Sequence, residues 1–413
     1  MQSLPENVDV VVIGAGPSGS IASALLRRKG HQVLVLERAQ FPRFSIGESL
    51  LPECMNFIEE AGMLEAVNAF GFQYKDGAAF GRGDQYADFD FHEKFTEGPA
   101  TAFQVERALF DKLLADQATE QGVDIRYQYT ITDVDLSGEN ARVTCTGPNE
   151  ETHCVTAKFI LDASGFGRVL PRLLQLETPS DFPVRKALST HIDDHIISGE
   201  FDRNKILITI HPQEKDIWYW TNPLNDQKCS LGVVAPAEKI DARKGDTVEE
   251  KIQQLVSEAP RLQRMLRNAE FNYPARAFTG YAANVKNLAG DKYALLGNAG
   301  EFLDPMFSSG ITIAMRSASI ASKVLHRQLT GEIVDWQVEY AEPLKKGVDT
   351  FRVFVDAWYE GRFQDIIFYE GKMPKVRQMV CSILAGYAWD ESNPFVAEPE
   401  RRLNALAELC GSP

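Results

Sequence analysis

Gly14, Gly16 and Gly19, in the run Gly14-Ala15-Gly16-Pro17-Ser18-Gly19, spell G-x-G-x-x-G. The first glycine permits a tight turn, the second lets main chain approach a pyrophosphate, and the third lets a helix pack close on the preceding strand. The helix that begins near Pro17 and Ser18 then turns its positive end to the phosphates. Glu37 follows 18 residues past Gly19, where a carboxylate can bind ribose hydroxyls. The glycines alone would suit any strand–helix turn. Together with Glu37 they predict a bound dinucleotide.

Such a site needs a strand, a helix and a second strand to hold it, and the flanking residues supply them. Val8–Ile13 is a β-branched run broken only by Asp9, which reads as a buried parallel strand. Ser18–Lys29 has helical character and stops at Gly30, and Gln32–Glu37 is a second apolar strand. Further on, Arg107–Gln121 reads as a helix with Leu109, Phe110, Leu113 and Leu114 on one face. Alternating strands occupy roughly Ile125–Asp162, with turns at Ser137–Asn140 and Gly147–Glu150. Asp181–Pro183 marks a crossing out of the nucleotide unit. Ala187–Ala235 reads as longer antiparallel strands, Thr247–Asn268 as a helical excursion, Tyr293–Leu296 as a strand and Ser309–Leu329 as a long helix.

The expected fold class is α/β: a Rossmann-type nucleotide domain interleaved with an antiparallel β-sheet substrate domain, followed by a helical C-terminal region. The nucleotide domain is expected to comprise 1–72, 101–182 and 281–334. The substrate domain would take 73–100 and 183–280, and the helical region 335–413.

Composition bounds the function. The 413 residues are 44% hydrophobic and 24% charged, as in ordinary soluble proteins, and the net charge of −15 repels phosphate backbones. Nucleic acid is therefore not an expected partner. The six cysteines form no C-x-x-C pair, so neither a metal site nor a disulfide framework is expected. No apolar run approaches the roughly 20 residues of a membrane span. No signal peptide is expected ahead of Val8, and the expected location is cytoplasmic.

Two later segments, Asp162-Ala163-Ser164-Gly165 and Gly297-Asn298-Ala299, each end a strand. Both resemble motifs of single-Rossmann FAD enzymes such as aromatic hydroxylases and halogenases, and this favours FAD over NAD. The family usually has aspartate where Asn298 stands. Arg107, in V-E-R-x-x-F-D-x-x-L, resembles the family arginine near the pyrophosphate. No second G-x-G-x-x-G occurs, so electrons come from a transient nicotinamide encounter or a separate flavin reductase.

Three more segments resemble flavin-dependent halogenases, most closely the phenol- and pyrrole-type branch. Phe41-Pro42-Arg43 with Gly47-Glu48-Ser49-Leu50-Leu51-Pro52 is similar to the segment passing the flavin ring. Trp218-Tyr219-Trp220-Thr221-Asn222-Pro223 is similar to W-x-W-x-I-P, with Asn222 in place of isoleucine. Phe302-Leu303-Asp304-Pro305-Met306-Phe307-Ser308-Ser309-Gly310 fits F-x-x-P-x-x-S-x-G. Without the family, the tryptophans could be core aromatics and the serine loop an ordinary capped helix start.

The resemblance implies FAD contacts at Gly14, Gly16, Pro17, Ser18, Gly19, Glu37, Arg38, Glu48, Ser49, Arg107, Asp162, Gly297, Asn298, Pro305, Gly310 and Ile311. It implies a halide, chloride or bromide, at the N–H groups of Ser309 and Gly310, and a substrate chamber including Trp218, Trp220 and Phe307.

Lys75, in Phe72-Gln73-Tyr74-Lys75-Asp76-Gly77-Ala78-Ala79-Phe80, resembles the catalytic lysine segment. A lone lysine is ordinarily a solvated one, but these neighbours suit a semi-buried position in which its pKa is lowered. The implied reaction uses reduced FAD and oxygen to make hypohalous acid, which reaches Lys75 and halogenates an electron-rich ring. Tryptophan halogenases carry a glutamate where Phe307 stands, so a phenol or pyrrole, free or on a carrier protein, is the expected substrate. Asn222 and Asn298 keep a second reading open, a halogenase-like monooxygenase or dehydrogenase without halide chemistry. A non-catalytic FAD-binding protein is the third.

Overall fold

Asn7–Ile13 lies at the middle of a parallel sheet, between Val33–Glu37 and Thr152–Asp162, in the computed structural model, which describes residues 3–411 apart from residue 181. Val10, Val11 and Val12 are wholly buried, as a strand covered on both faces must be, and this is why the run is continuously apolar. Asp124–Tyr127 extends the sheet beyond Val33–Glu37, and Tyr293–Leu295 joins on the other side. The Thr130–Asp135 and Ala141–Thr146 strands form an antiparallel extension of Thr152–Asp162. Helices Pro17–Arg28 and Ser309–Leu329 pack together, close enough for the Ser322 hydroxyl to donate to the Ala22 carbonyl at 3.4 Å.

The second sheet has seven strands in the order Arg276–Thr279, Arg185–Asp193, Lys228–Pro236, Trp218–Pro223, Lys205–Ile210, Gly77–Arg82 and Gln85–Asp90. Its pairings are antiparallel except between Lys205–Ile210 and Gly77–Arg82, which run parallel. The expectation of a purely antiparallel floor is corrected at that one seam. The chain passes through the nucleotide sheet between those two strands, which supplies the long crossover a parallel pair requires.

One face of this sheet, with Trp218, Trp220, Ile206 and Ile208, joins the main core. The opposite face, with Tyr219, Leu207 and Leu231, lies under helix Val248–Glu258. Thr247 starts that helix with a reciprocal capping box to Glu250.

After Asp335 the chain is helical, and the longest of these helices is Glu342–Tyr359. Leu109 corrects the sequence reading: it is exposed, while Phe110 and Leu114 are the buried residues of helix Arg107–Glu120. The crossing expected at Asp181–Pro183 falls partly outside the described residues. No helix among them is long and apolar enough to cross a membrane.

Candidate active site

Gly14 has φ +95°, the left-handed conformation that glycine adopts without strain. A Cβ on Gly19 would come within 1.9 Å of the Gly14 carbonyl oxygen, so the first and third glycines are fixed by backbone geometry. A Cβ on Gly16 would meet only Arg43 Nη2, at 3.6 Å. The space beside Gly16 is therefore open and faced by a guanidinium. Pro17 and Ser18 begin helix Pro17–Arg28, whose first N–H groups look into this space.

Glu37 ends its strand almost fully buried, its carboxylate accepting from Ala15 N–H at 2.9 Å and Ala39 N–H at 2.8 Å. It braces the glycine turn from behind. Arg38, the next residue, is exposed. Asp162 does a similar job on the neighbouring strand, accepting from Ser164 and Leu170 N–H groups at 2.9 and 2.7 Å. Burial raises its pKa, and its carboxylate fixes the turn after the strand.

Two arginines stand together beside the Gly14–Gly19 turn. Arg107 donates to Asp111 at 2.7 and 2.9 Å and to the Ile46 carbonyl at 2.6 Å. Arg43 reaches the same Asp111 at 2.7 Å. The residue facing Gly16 is thus Arg43, and Arg107 holds it in place through a shared, wholly buried carboxylate. Nothing in the spacing announced this pair; Arg43 was visible only as part of F-P-R.

Gly297 has φ +52°, and Asn298 Oδ1 is shielded from solvent without a partner among the described residues. Gln104 Oε1 is likewise unpartnered, in a fully buried side chain next to Ser49. These open polar atoms, with the space at Gly16, fit a dinucleotide that brings its own hydrogen-bonding groups.

Lys75 is 1% exposed, more deeply buried than its neighbours suggested. Its amine donates to Ser49 Oγ at 2.7 Å and to the Leu50 carbonyl at 2.9 Å, and stands 5.5 Å from the centre of the Phe91 ring. Desolvation pushes its pKa down to about 7, only weakly opposed by Cys54. The loop carrying Ser49 is pinned from the other side too, because Glu48 Oε1 lies 2.7 Å from His191 Nε2 on the large sheet.

Pro305 follows Asp304, whose side chain accepts the Met306 N–H at 3.0 Å. Ser308, at φ +54°, turns the chain into helix Ser309–Leu329 but makes no side-chain cap. A serine hydroxyl therefore does not satisfy the first N–H groups, among them those of Ser309, Gly310 and Ile311, and Asn298 Oδ1 is near: 3.8 Å from a Cβ built on Gly310.

The tryptophans share a face, with ring centres 6.1 Å apart. Trp218 donates to Tyr359 Oη at 2.9 Å, and Trp220 donates to Ser230 Oγ at 3.1 Å. Asn222, wholly buried beside them, has neither amide atom hydrogen-bonded among the described residues. Phe307 contacts the same helix Glu342–Tyr359 that Trp218 reaches through Tyr359. Its ring packs against Phe351, Phe354 and Phe363 of the C-terminal helices, at 6.5, 6.1 and 5.5 Å.

One cluster could suggest a metal: ligand atoms of His211, Glu214 and Glu258 lie within 4.8 Å of one another. Arg243 bridges both carboxylates, so positive charge is already in place.

A family described as an FAD-binding domain matches residues 7–343. The tryptophan 2-halogenase of Chondromyces crocatus is 31% identical over 335 residues, covering 80% of this chain, which spans 63% of that protein's length. The 1H-pyrrole-2-carbonyl-[peptidyl-carrier protein] chlorinase of Pseudomonas fluorescens is 27% identical, with 97% of this chain and 94% of that one covered. Among solved structures, a flavoprotein/dehydrogenase from Cytophaga hutchinsonii superposes with a TM-score of 0.94 at 42% identity, over 98% and 99% of the two chains.

Proposed function

The chain belongs to the FAD-binding-domain family, in the company of flavin-dependent halogenases, and from that premise we propose that it halogenates an electron-rich aromatic ring, a phenol or a pyrrole. The ring is offered free or tethered to a carrier protein, as the name of the pyrrole-acting relative describes for that protein. The observation that carries this reading is the Lys75 amine, wholly buried and held by two acceptors with its pKa near neutrality.

FAD would be held by the Gly14–Gly19 turn, Glu37, Arg43, Gln104 and Asn298. Reduced with electrons from a separate flavin reductase, the bound cofactor would bring oxygen to the peroxide level, the two-electron oxidant that turns halide into hypohalous acid with release of water. The N–H groups of Ser309 and Gly310, at the start of a 21-residue helix, would hold chloride or bromide. Lys75 then acts as a neutral amine. Two N–H groups go to Ser49 and Leu50, which leaves the nitrogen lone pair to receive the halogen. Attack on hypohalous acid forms the N–halogen bond, breaks the halogen–oxygen bond and releases water with one amine proton. Burial keeps bulk water from hydrolysing the product before a ring meets it.

The test uses purified protein with FAD, a flavin reductase, NADH, oxygen, and chloride or bromide, supplied with phenolic and pyrrolic probes. Product mass should show the halogen isotope pattern. Lys75→Met should abolish ring halogenation while flavin reduction and oxygen uptake continue. Undiminished halogenation by that variant, or products carrying only an added oxygen, would overturn the reading.

A further inference from the structure

Arg185 is a buried guanidinium whose one carboxylate partner among the described residues, Asp304, stands beyond hydrogen-bond distance. Its side chain is 9% exposed, and among the described residues it makes no hydrogen bond. It stacks on the Tyr359 ring, 3.4 Å from the centroid, and its nearest carboxylate oxygen, Asp304 Oδ2, stands 3.9 Å away. That oxygen already accepts from Tyr359 Oη at 3.0 Å, and the other Asp304 oxygen takes the Met306 N–H. Tyr359 Oη in turn accepts from Trp218 Nε1. Asp304 and Tyr359 therefore satisfy each other, and the Arg185 fork is left over.

Tyr281 supplies the second observation. The Gly280 N–H donates to the Arg185 carbonyl at 3.0 Å, which brings the next residue alongside. The Tyr281 hydroxyl is screened from solvent and has no partner among the described residues, yet it feels the charges of both Asp304 and Arg185. A buried planar fork that pairs with Asp304 only at 3.9 Å, beside a buried hydroxyl with no partner among the described residues, matches a further oxygen anion within hydrogen-bond reach. The surroundings suit a ring. Tyr281 packs on Phe302 at 5.8 Å and Phe302 on Phe166 at 5.2 Å, and Phe166 reaches the surface at 42% exposure.

We propose that Arg185 and Tyr281 form an oxyanion-binding pair, taking the phenolate or ring carboxylate of an untethered aromatic substrate. The proposal rests on the halogenase reading for what happens to the ring, but not for the binding itself. A thioester-tethered ring lacks the carboxylate, so this site selects the free form over the carrier-bound one unless the ring brings a phenolate. Arg185 is well suited to the task because the fork meets both oxygens of a carboxylate at once.

Binding can be measured without turnover, on the oxidised FAD-loaded protein with no reductant. One pair of probes is pyrrole-2-carboxylate and its methyl ester, followed by calorimetry. The other is 4-nitrophenolate and 4-nitroanisole, followed by the absorbance of the phenolate. The anion of at least one pair should bind at least about tenfold tighter than its neutral partner, as a charge-assisted hydrogen bond gives. The pair that shows the preference names the anion. Arg185→Met should erase the preference, Tyr281→Phe should reduce it, and Arg185→Lys should keep part of it. Should Arg185→Met fail to retain FAD, Tyr281→Phe decides alone. Equal binding of anion and neutral partner in both pairs, or a preference untouched by these substitutions, overturns the proposal. Halogenation of neutral rings without anion preference would remove this site and leave the reaction standing. Anion preference in a protein that adds no halogen would remove the reaction and leave the site.

Discussion

The Lys75 amine and the Ser49 hydroxyl lie 2.7 Å apart across 26 residues of sequence, and this contact joins the two-stranded sheet of Gln73–Lys75 and Ala102–Gln104 to the loop that leaves the nucleotide sheet. Ser49 accepts, so it favours the charged amine, while burial opposes the charge more strongly. Ser49→Ala removes only the acceptor. The pKa of Lys75 should then fall below about 7, and the rising limb of the halogenation pH profile should move to lower pH. The rate plateau should drop by about tenfold, the worth of one hydrogen bond that orients the amine. A profile that keeps its midpoint and plateau would show that Ser49 does not position Lys75.

Lys75 also makes stability depend on pH. In the folded chain it gives up its proton near pH 7, and in the unfolded chain near the ordinary lysine value of about 10.4. Between those values the unfolded state binds more protons, so stability rises with pH and the penalty is greatest below pH 7. Lys75→Met carries no such penalty. Its thermal midpoint should exceed that of the wild type most at pH 6, and the gap should close as pH approaches 10.5. A constant gap across that range would mean that the buried amine is not the cause.

Arg43 and Arg107 meet at Asp111, and the two arginines should separate binding from folding. Arg43 faces Gly16 and is partly exposed, so Arg43→Ala should weaken FAD binding by about tenfold with little change in the apoprotein melting midpoint. Asp111→Asn leaves a buried guanidinium without its carboxylate, which costs about 3 kcal/mol or more. It should lower the midpoint and the FAD affinity together. Flavin fluorescence and thermal melts on the same samples distinguish the two patterns.

These contacts also show what could be read from the chain and what could not. The Gly14–Gly19 turn, its two strands and helix Ser309–Leu329 were legible because each is a local pattern, fixed by glycine geometry or by periodic apolar residues. Lys75 was found by likeness of its segment, and its depth of burial came only with the fold. Arg43, Asp111, His191, Arg185 and Tyr359 were not legible. The meetings of Arg43 with Asp111, of His191 with Glu48, and of Arg185 and Tyr359 with Asp304 span tens to hundreds of residues, and nothing in local spacing records them; the Arg107–Asp111 pair, four residues apart, is the local exception. The parallel seam between Gly77–Arg82 and Lys205–Ile210 was missed for the same reason.

Phe307, which sequence likeness assigns to the substrate chamber, packs on the helical C-terminal region. Its ring is 4% exposed and touches Phe351, Phe354 and Phe363, three side chains contributed after residue 341. Placing glutamate there to imitate the tryptophan enzymes should not create activity on a weakly activated ring. The carboxylate would be enclosed by phenylalanines, and its charged form would be strongly disfavoured. Phe307→Ala should cost about 3–5 kcal/mol through lost burial and the cavity left behind. Phe307→Glu should lose at least as much at pH 8, and less at pH 5, where the acid can stay protonated. Chemical denaturation at the two pH values, with product analysis on tryptophan and on a phenol, checks both halves. A stable Phe307→Glu protein that halogenates tryptophan would place this side chain in the chamber after all.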